Sequence, residues 1–145
     1  MPNRRKTPKR GGQALPEKEP RSRAVSTQGD YPRWSFTRID WNGPWCPKAL
    51  GAHKLLEVVN KLTQFEGRTW GDIESDRRNH AVETASVGKA AQARLVEIRQ
   101  DDVASLFSLR LSGRERVWGI REGALFRLLW WDPEHSVYPS KKKHT

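Results

Sequence analysis

The stretch LFSLRLSGRERVWGIREGALFRLLWWDPEHSVY, residues 106–138, decides the fold of this chain. It holds three short apolar-rich runs, which are separated by Ser112-Gly113 and by Gly123, residues typical of tight turns. Alternation of residue types within the first run indicates a sheet with one packed face and one partly open face. The pattern predicts an antiparallel β-meander, with strands at about residues 105–111, 115–121 and 124–131.

The segments ahead of this stretch predict one strand and three helices. Aromatic and β-branched residues favour a first strand at 34–41, and an apolar stripe at helical spacing favours a helix over 47–66. A short second helix is expected to begin near residue 69, followed by a polar loop over 75–80. Residues 80–85 are interpreted as a brief strand or an extended connector, and Ser86 as the N-cap of a helix over 87–99. The order predicts an α+β fold with the helices on one face of an antiparallel sheet.

Charge and composition divide the chain into three parts. Residues 1–30 carry eight Lys/Arg against three Asp/Glu and almost no large apolar side chains, so we expect a disordered basic leader. Residues 31–140 are predicted to form a single α+β domain, and residues 141–145 a basic tail. Basic ends favour polyanions such as RNA, DNA or the ribosome through counterion release; the alternative is that they only keep the chain in solution.

Several classes of protein are disfavoured by what the sequence lacks. The single cysteine permits neither an intrachain disulfide nor a CxxC metal site. No run has the length of a signal peptide core or of a membrane span, which predicts a cytoplasmic protein without a membrane partner. HExxH, DxD, GxxxxGK and GxGxxG motifs are also missing. We therefore expect no metal and no cofactor.

The candidate site residues are cations, an imidazole and a phenol near the end of the predicted sheet. Arg110 and Arg116 lie within strands, whereas His135 and Tyr138 follow the last strand. A guanidinium matches phosphate oxygens, and an imidazole exchanges protons near neutral pH, so the set suits either cleaving or gripping a phosphodiester. The structural alternatives are an arginine paired with a neighbouring glutamate, a histidine that caps a turn and a tyrosine folded back on the sheet.

Whether the two arginines act together depends on the length of the turn between their strands. A three-residue turn over 112–114 would pair Arg110 with Arg116 and point both side chains the same way. A two-residue turn, Gly113-Arg114, would place them on opposite faces. The sequence leaves both possibilities open.

Aromatic and cationic residues on the predicted strands supply further candidates. Trp118 lies on the strand and face of Arg116, where it could stack on a nucleobase, although tryptophan is more often a core residue. Arg121 on the same strand is a further candidate for substrate contact. Trp130 and Trp131 are consecutive, so as strand residues they are predicted to face opposite sides of the sheet. His80, beside Arg77 and Arg78, is a weaker candidate.

The block LRLSG, two residues, then RVW at 116–118 resembles the sheet of RelE/ParE-type toxins. In that superfamily an arginine-containing strand precedes a third apolar strand, and the toxin commonly ends with histidine or arginine and tyrosine, as DPEHSVY at 132–138 does here. The resemblance covers about residues 86–139. The basic leader, the extra segment around residues 67–85 and Trp130-Trp131 with the DPEH turn depart from the family pattern.

The resemblance implies a toxin of a type II toxin–antitoxin system that cuts mRNA on the ribosome as a metal-independent endoribonuclease, with an antitoxin protein as partner. Arg116 then resembles the arginine that contacts the scissile phosphate, His135 and Tyr138 resemble the acid/base residues, and Arg110 a supporting cation. The alternative is a non-catalytic module on the same fold that binds nucleic acid or a protein such as gyrase. A small accessory protein without a site is the third possibility.

Overall fold

The structure, a computed structural model, describes residues 26–139. Within that range the chain forms five strands and three α-helices, together with short 3-10 turns at Pro47–Ala49 and Thr84–Ser86. In chain order the elements are β1 (Arg33–Ser35), α1 (Ala52–Glu66), α2 (Trp70–Ser75), β2 (His80–Glu83), α3 (Lys89–Glu97), β3 (Ser105–Ser112), β4 (Glu115–Glu122) and β5 (Leu125–Asp132). The predicted α+β class is confirmed.

All five strands belong to one mixed sheet in the order β1-β5-β4-β3-β2. The strands β2, β3, β4 and β5 lie side by side in chain order and each is antiparallel to the next, whereas β1 is parallel to β5. Gly113 and Gly123 adopt the left-handed φ values of 49° and 64° that the two tight turns require. Each of the three long strands begins and ends within one residue of its predicted position.

Helices cover both faces of this sheet, so the prediction that they pack on one face is wrong. Phe107 and Leu109 of β3 join a core with apolar residues of α1 and α2. Leu106, whose side chain points to the other face, joins a second core with Ala91 and Leu95 of α3. The polar Ser108, on the same face of β3 as Leu106, suggested that this face is open to solvent. In the structure Ser108 is 1 % exposed.

Three element boundaries differ from the sequence predictions. The strand expected over 34–41 is limited to β1, which forms one edge of the sheet and whose Trp34 ring meets the Phe126 ring of β5 edge-on. The helix expected over 47–66 is interrupted, because Gly51 is extended and caps α1. Ser86 is not the N-cap of α3. It lies in a 3-10 turn, and Gly88 caps the helix.

The predicted leader and tail fall mostly outside the described residues. The last residues of the predicted leader, 26–30, are described and contact α2. The backbone N–H of Gly71 donates to the carbonyl of Gln28 at 2.8 Å, and that of Trp70 donates to Asp30 at 2.9 Å. The folded part of the chain therefore begins before residue 31.

Candidate functional site

A cavity of about 440 Å³ opens where the 76–80 loop, the amino end of α3 and the segment after β5 meet. Its lining brings together Arg116, His135 and Tyr138, the three residues predicted to carry the chemistry. The other lining residues are Arg77, Arg78, His80, Ser86, Gly88 and Pro139. Three guanidinium groups, two imidazoles and a phenol therefore share one concave surface.

Arg116 is held rigidly by the turn that precedes its strand. Its Nη1 donates to the carbonyl oxygens of Gly113 at 2.7 Å and Glu115 at 3.2 Å, and the residue is 9 % exposed. Burial, together with the charge of Arg110, lowers the pKa of the Arg116 guanidinium, which nevertheless remains charged at neutral pH. A fixed cation in a partly desolvated setting is well suited to bind an anion.

The carboxylates expected to neutralise Arg116 are engaged elsewhere. Glu115 accepts from the indole N–H of Trp131 at 2.7 Å, and Glu122 pairs with Arg127 at 3.0 Å. Among the ion pairs of residues 26–139, none involves Arg116. The structural alternative of an arginine paired with Glu115 or Glu122 therefore does not hold for Arg116.

A β-bulge settles the question of the turn between β3 and β4. Ser112 pairs with Glu115, so the turn contains two residues, Gly113 and Arg114. The register then shifts, and Arg110 pairs with Arg116. The expectation that a two-residue turn separates these arginines onto opposite faces is wrong, because the extra residue of the bulge restores their alignment.

Arg110 supports the cavity from outside its lining. Its Nε donates to the carbonyl of Gly113 at 3.3 Å, the same oxygen that anchors Arg116. Its backbone N–H donates to the side chain of Asn79 at 2.8 Å. Arg110 is not among the lining residues, so its contribution to a bound anion is long-range charge and the positioning of the loop.

The segment that carries His135 and Tyr138 is fixed by the buried carboxylate of Asp132. This carboxylate accepts from the backbone N–H groups of Ser136 at 2.9 Å and Val137 at 3.0 Å, and from the indole of Trp118 at 3.1 Å. The side chain of Asp132 is 0 % exposed. His135 has a left-handed φ of 60°, a conformation that a non-glycine residue adopts only when its surroundings impose it.

Both burial and the nearby charge of Arg116 lower the pKa of His135. Each opposes a positive charge on the imidazole, the first by removing water and the second by repulsion. His135 is therefore neutral at pH 7, and it is able to accept a proton from a bound ligand.

Replacement of Arg116 by glutamine is expected to raise the pKa of His135 toward its ordinary value of 6.5, because the repulsive charge is removed while the burial remains. The measurement is the pH titration of the His135 ring resonances by NMR in both proteins. A pKa that is unchanged in the variant, or one above 6.5 in the wild type, would contradict the cavity geometry.

The 76–80 loop contributes Arg77 and Arg78, which the sequence did not assign to the site, and leads into His80, which it gave only as a weaker candidate. Arg77 and Arg78 are exposed at the cavity rim, and His80, at the start of β2, is half-buried. The only sequence signal was the run of two arginines and a histidine after a short helix, which is also typical of a solvated loop. Their place in the cavity depends on β2 pairing with β3, a contact that the sequence does not encode locally.

Two predicted substrate contacts lie elsewhere. Trp118 is 0 % exposed and its indole N–H is bonded to Asp132, so it is a core residue that cannot stack on a base. Arg121 points to the α1–α2 face, where its guanidinium lies 4.1 Å from the ring centroid of Trp70 and 3.3 Å from Glu74. Both predictions are therefore corrected, because the Trp118 indole binds Asp132 and the Arg121 guanidinium binds Trp70 and Glu74.

Known proteins give no indication of what this site does. No protein-family model matches the chain, and no curated protein or solved structure matches it. Over residues 26–139 there is no cluster of three His, Cys, Asp or Glu side chains placed to hold a metal ion. In the same range, no helix combines the length and apolar character needed to cross a membrane.

Proposed function

We propose that this chain is the toxin of a type II toxin–antitoxin system, a metal-independent endoribonuclease that cleaves mRNA on translating ribosomes in the cytoplasm. The observation that carries the proposal is the convergence of Arg116, His135 and Tyr138 on one cavity. Arg116 comes from β4, whereas His135 and Tyr138 come from the segment after β5, 19 and 22 positions further along the chain.

The proposed reaction is attack of a ribose 2′-oxygen on the adjacent phosphorus. Neutral His135 accepts the 2′ proton, and Arg116 stabilises the doubly charged phosphorane by charge and hydrogen bonds. Tyr138, 36 % exposed at the cavity, donates a proton to the departing 5′ oxygen. The bond from phosphorus to that oxygen breaks, which leaves a 2′,3′-cyclic phosphate on one product and a 5′-hydroxyl on the other.

The arrangement of the strands is consistent with the resemblance to RelE/ParE-type toxins. Four neighbouring antiparallel strands carry the arginine on β4, and the histidine and tyrosine follow β5. The extra segment around residues 67–85, which contains α2 and β2, departs from that pattern. The proposal extends to two partners, the mRNA–ribosome complex as target and a cognate antitoxin protein as inhibitor.

Controlled expression in bacteria tests the function. Wild-type protein is expected to halt growth, and the double variant Arg116→Ala, His135→Ala is expected to restore growth because it removes the cation and the base. Arg68→Ala, which removes an exposed arginine outside the cavity lining, is the matched control and should still arrest growth. Equal soluble expression of all three proteins must be verified by immunoblot.

A second candidate, a protein-binding module, is favoured by a separate apolar groove of about 230 Å³. Phe36, Trp41, Leu55 and Val59 line it and are each about half exposed or more. Clustered exposed apolar side chains of this kind mark protein interaction surfaces. Growth arrest that survives the double cavity variant but is relieved by Leu55→Gln would favour inhibition through binding over cleavage.

A further inference from the structure

The 76–80 loop supplies two of the three arginines of the cavity. It belongs to the segment around residues 67–85, one of the parts of the chain that depart from the RelE/ParE pattern. The mechanism proposed above assigns no role to these two cations. Their presence beside Arg116 therefore calls for a ligand with more negative charge than one phosphodiester group.

The loop is a rigid platform. Asn79 is buried, and its side chain donates to the carbonyl of Ile73 at 2.9 Å and accepts from the backbone N–H of Arg110 at 2.8 Å. Asp76 accepts from the backbone N–H of Arg78 at 3.0 Å and from its Nε at 2.9 Å. These bonds tie the loop to α2 and to β3, so it needs no ordering when a ligand arrives.

The two arginines of the loop differ in how their charges are balanced. Arg78 is paired with Asp76, whereas Arg77 takes part in none of the ion pairs within residues 26–139. Within residues 26–139, neither Arg77 nor Arg116 therefore has a salt-bridge partner, although the charges of Asp132 and Asp76 act on Arg116 from a longer distance. An anion that contacts Arg77 gains a charge-assisted contact, which solvent screens because Arg77 is exposed.

The sheet places these two cations apart. His80 pairs with Ser108 on β3, and Ser108 pairs with Trp118 on β4. The loop that precedes His80 is thus two strand spacings from β4, roughly 10 Å at the backbone, since neighbouring strands lie about 4.8 Å apart. The two guanidinium groups thus reach the cavity from separate elements, an arrangement that suits two successive phosphates of one strand.

We propose that the 76–80 loop forms a second phosphate subsite, so that the ligand is a single-stranded RNA whose consecutive phosphates contact Arg116 and Arg77. This inference rests on the proposed function only for the identity of the ligand as RNA. The flexible single strand fits because its backbone adapts to fixed cations, whereas a duplex holds its phosphates in one geometry.

The test measures binding of RNA probes that cannot be cleaved. A 2′-O-methyl dinucleotide carries one phosphodiester and a 2′-O-methyl trinucleotide carries two. NMR titration at low salt gives a Kd for each probe with the wild type, Arg77→Gln and Arg68→Gln; the last variant removes an exposed arginine outside the cavity. Thermal melts of the variants verify that each is folded.

Arg77→Gln is expected to weaken trinucleotide binding about tenfold, the effect of losing one charge-assisted contact, and to leave dinucleotide binding within about twofold. The slope of log Kd against log salt for the trinucleotide should fall by about 0.7. Arg68→Gln should change neither Kd.

Three results would overturn the subsite: equal effects of Arg77→Gln and Arg68→Gln, equal weakening of both probes by Arg77→Gln, or a wild type that binds the trinucleotide no more tightly than the dinucleotide. Because the probes resist cleavage, these results do not depend on catalysis. A protein that shows the Arg77 effect but never cleaves RNA supports the subsite and contradicts the nuclease function alone.

Discussion

Replacing Arg116 with glutamine is expected to lower the rate of RNA cleavage by about a hundred- to a thousandfold, the range for loss of one oriented donor at a developing charge. The wild-type guanidinium is held by two backbone carbonyls and faces the cavity, so it is already placed when charge accumulates on the phosphorane. Glutamine keeps hydrogen-bonding capacity but carries no charge. Single-turnover cleavage with excess protein measures the chemical step without product release.

Arg110→Gln is the matched comparison, because Arg110 pairs with Arg116 across the strands but does not line the cavity. Its charge acts on the site only from a distance, so we expect a loss of less than about tenfold. Equal losses for the two variants would indicate that net positive charge, rather than an oriented guanidinium, supports activity. Arg116→Lys, which keeps the charge without the planar fork, should fall between wild type and Arg116→Gln.

Replacing Asp132 with alanine is expected to reduce the free energy of unfolding by about 3 kcal/mol or more. The substitution leaves four donors without their acceptor: the buried indole N–H of Trp118, the buried backbone N–H of Val137, and the backbone N–H and hydroxyl of Ser136. Each unsatisfied buried donor costs about 1–3 kcal/mol. Urea denaturation followed by tryptophan fluorescence gives the free energy of unfolding.

The same carboxylate also orders the segment that carries His135, so the effect extends to activity. Asp132→Asn is assayed under conditions where the variant remains folded. Its cleavage rate should still be below that of the wild type, because the segment that carries the His135 imidazole is less firmly held. Asp101→Ala, at an exposed position outside the cavity, serves as the control for both measurements. A change of less than about 1 kcal/mol in Asp132→Ala would show that the carboxyl-terminal segment does not depend on Asp132.

Local sequence signals were sufficient for the strands of the carboxyl-terminal half. Alternating apolar residues fix the periods of β3, β4 and β5, and left-handed glycines mark both turns. The sequence also predicted that Trp130 and Trp131 face opposite sides of the sheet, and in the structure the two residues join different cores. Strand period, turn position and side-chain alternation depend on residues that are neighbours in sequence, so the sequence alone was sufficient to predict them.

The roles of several side chains could not be predicted, because they depend on contacts with residues distant in sequence. Trp118 and Arg121 suited ligand contact by type, but a buried carboxylate binds the first, and the ring of Trp70 together with Glu74 holds the second. Asp40 appeared as one residue of an expected strand. It instead forms a buried pair with Arg94 of α3 at 2.7 Å that lowers its pKa to about 2.

The candidate site, too, was predictable only in part from the sequence. The candidacy of Arg116, His135 and Tyr138 followed from their chemistry and their order, whereas the contribution of the 76–80 loop followed only from the pairing of β2 with β3. The alignment of Arg110 with Arg116 depended on a single extra residue in a bulge. A bulge has no distinctive sequence signature here, because Leu111 and Ser112 also suit a regular strand.

The chemistry of the product ends tests the central claim most directly. Purified protein is incubated with an end-labelled RNA, either free in excess EDTA or bound in programmed ribosomes that keep their Mg²⁺. We expect cleavage that leaves a 2′,3′-cyclic phosphate and a 5′-hydroxyl, and that stops when the nucleotide at the cut carries a 2′-O-methyl group. Products with a 5′-phosphate, cleavage of the 2′-O-methyl substrate, or no cleavage of either RNA would contradict the account.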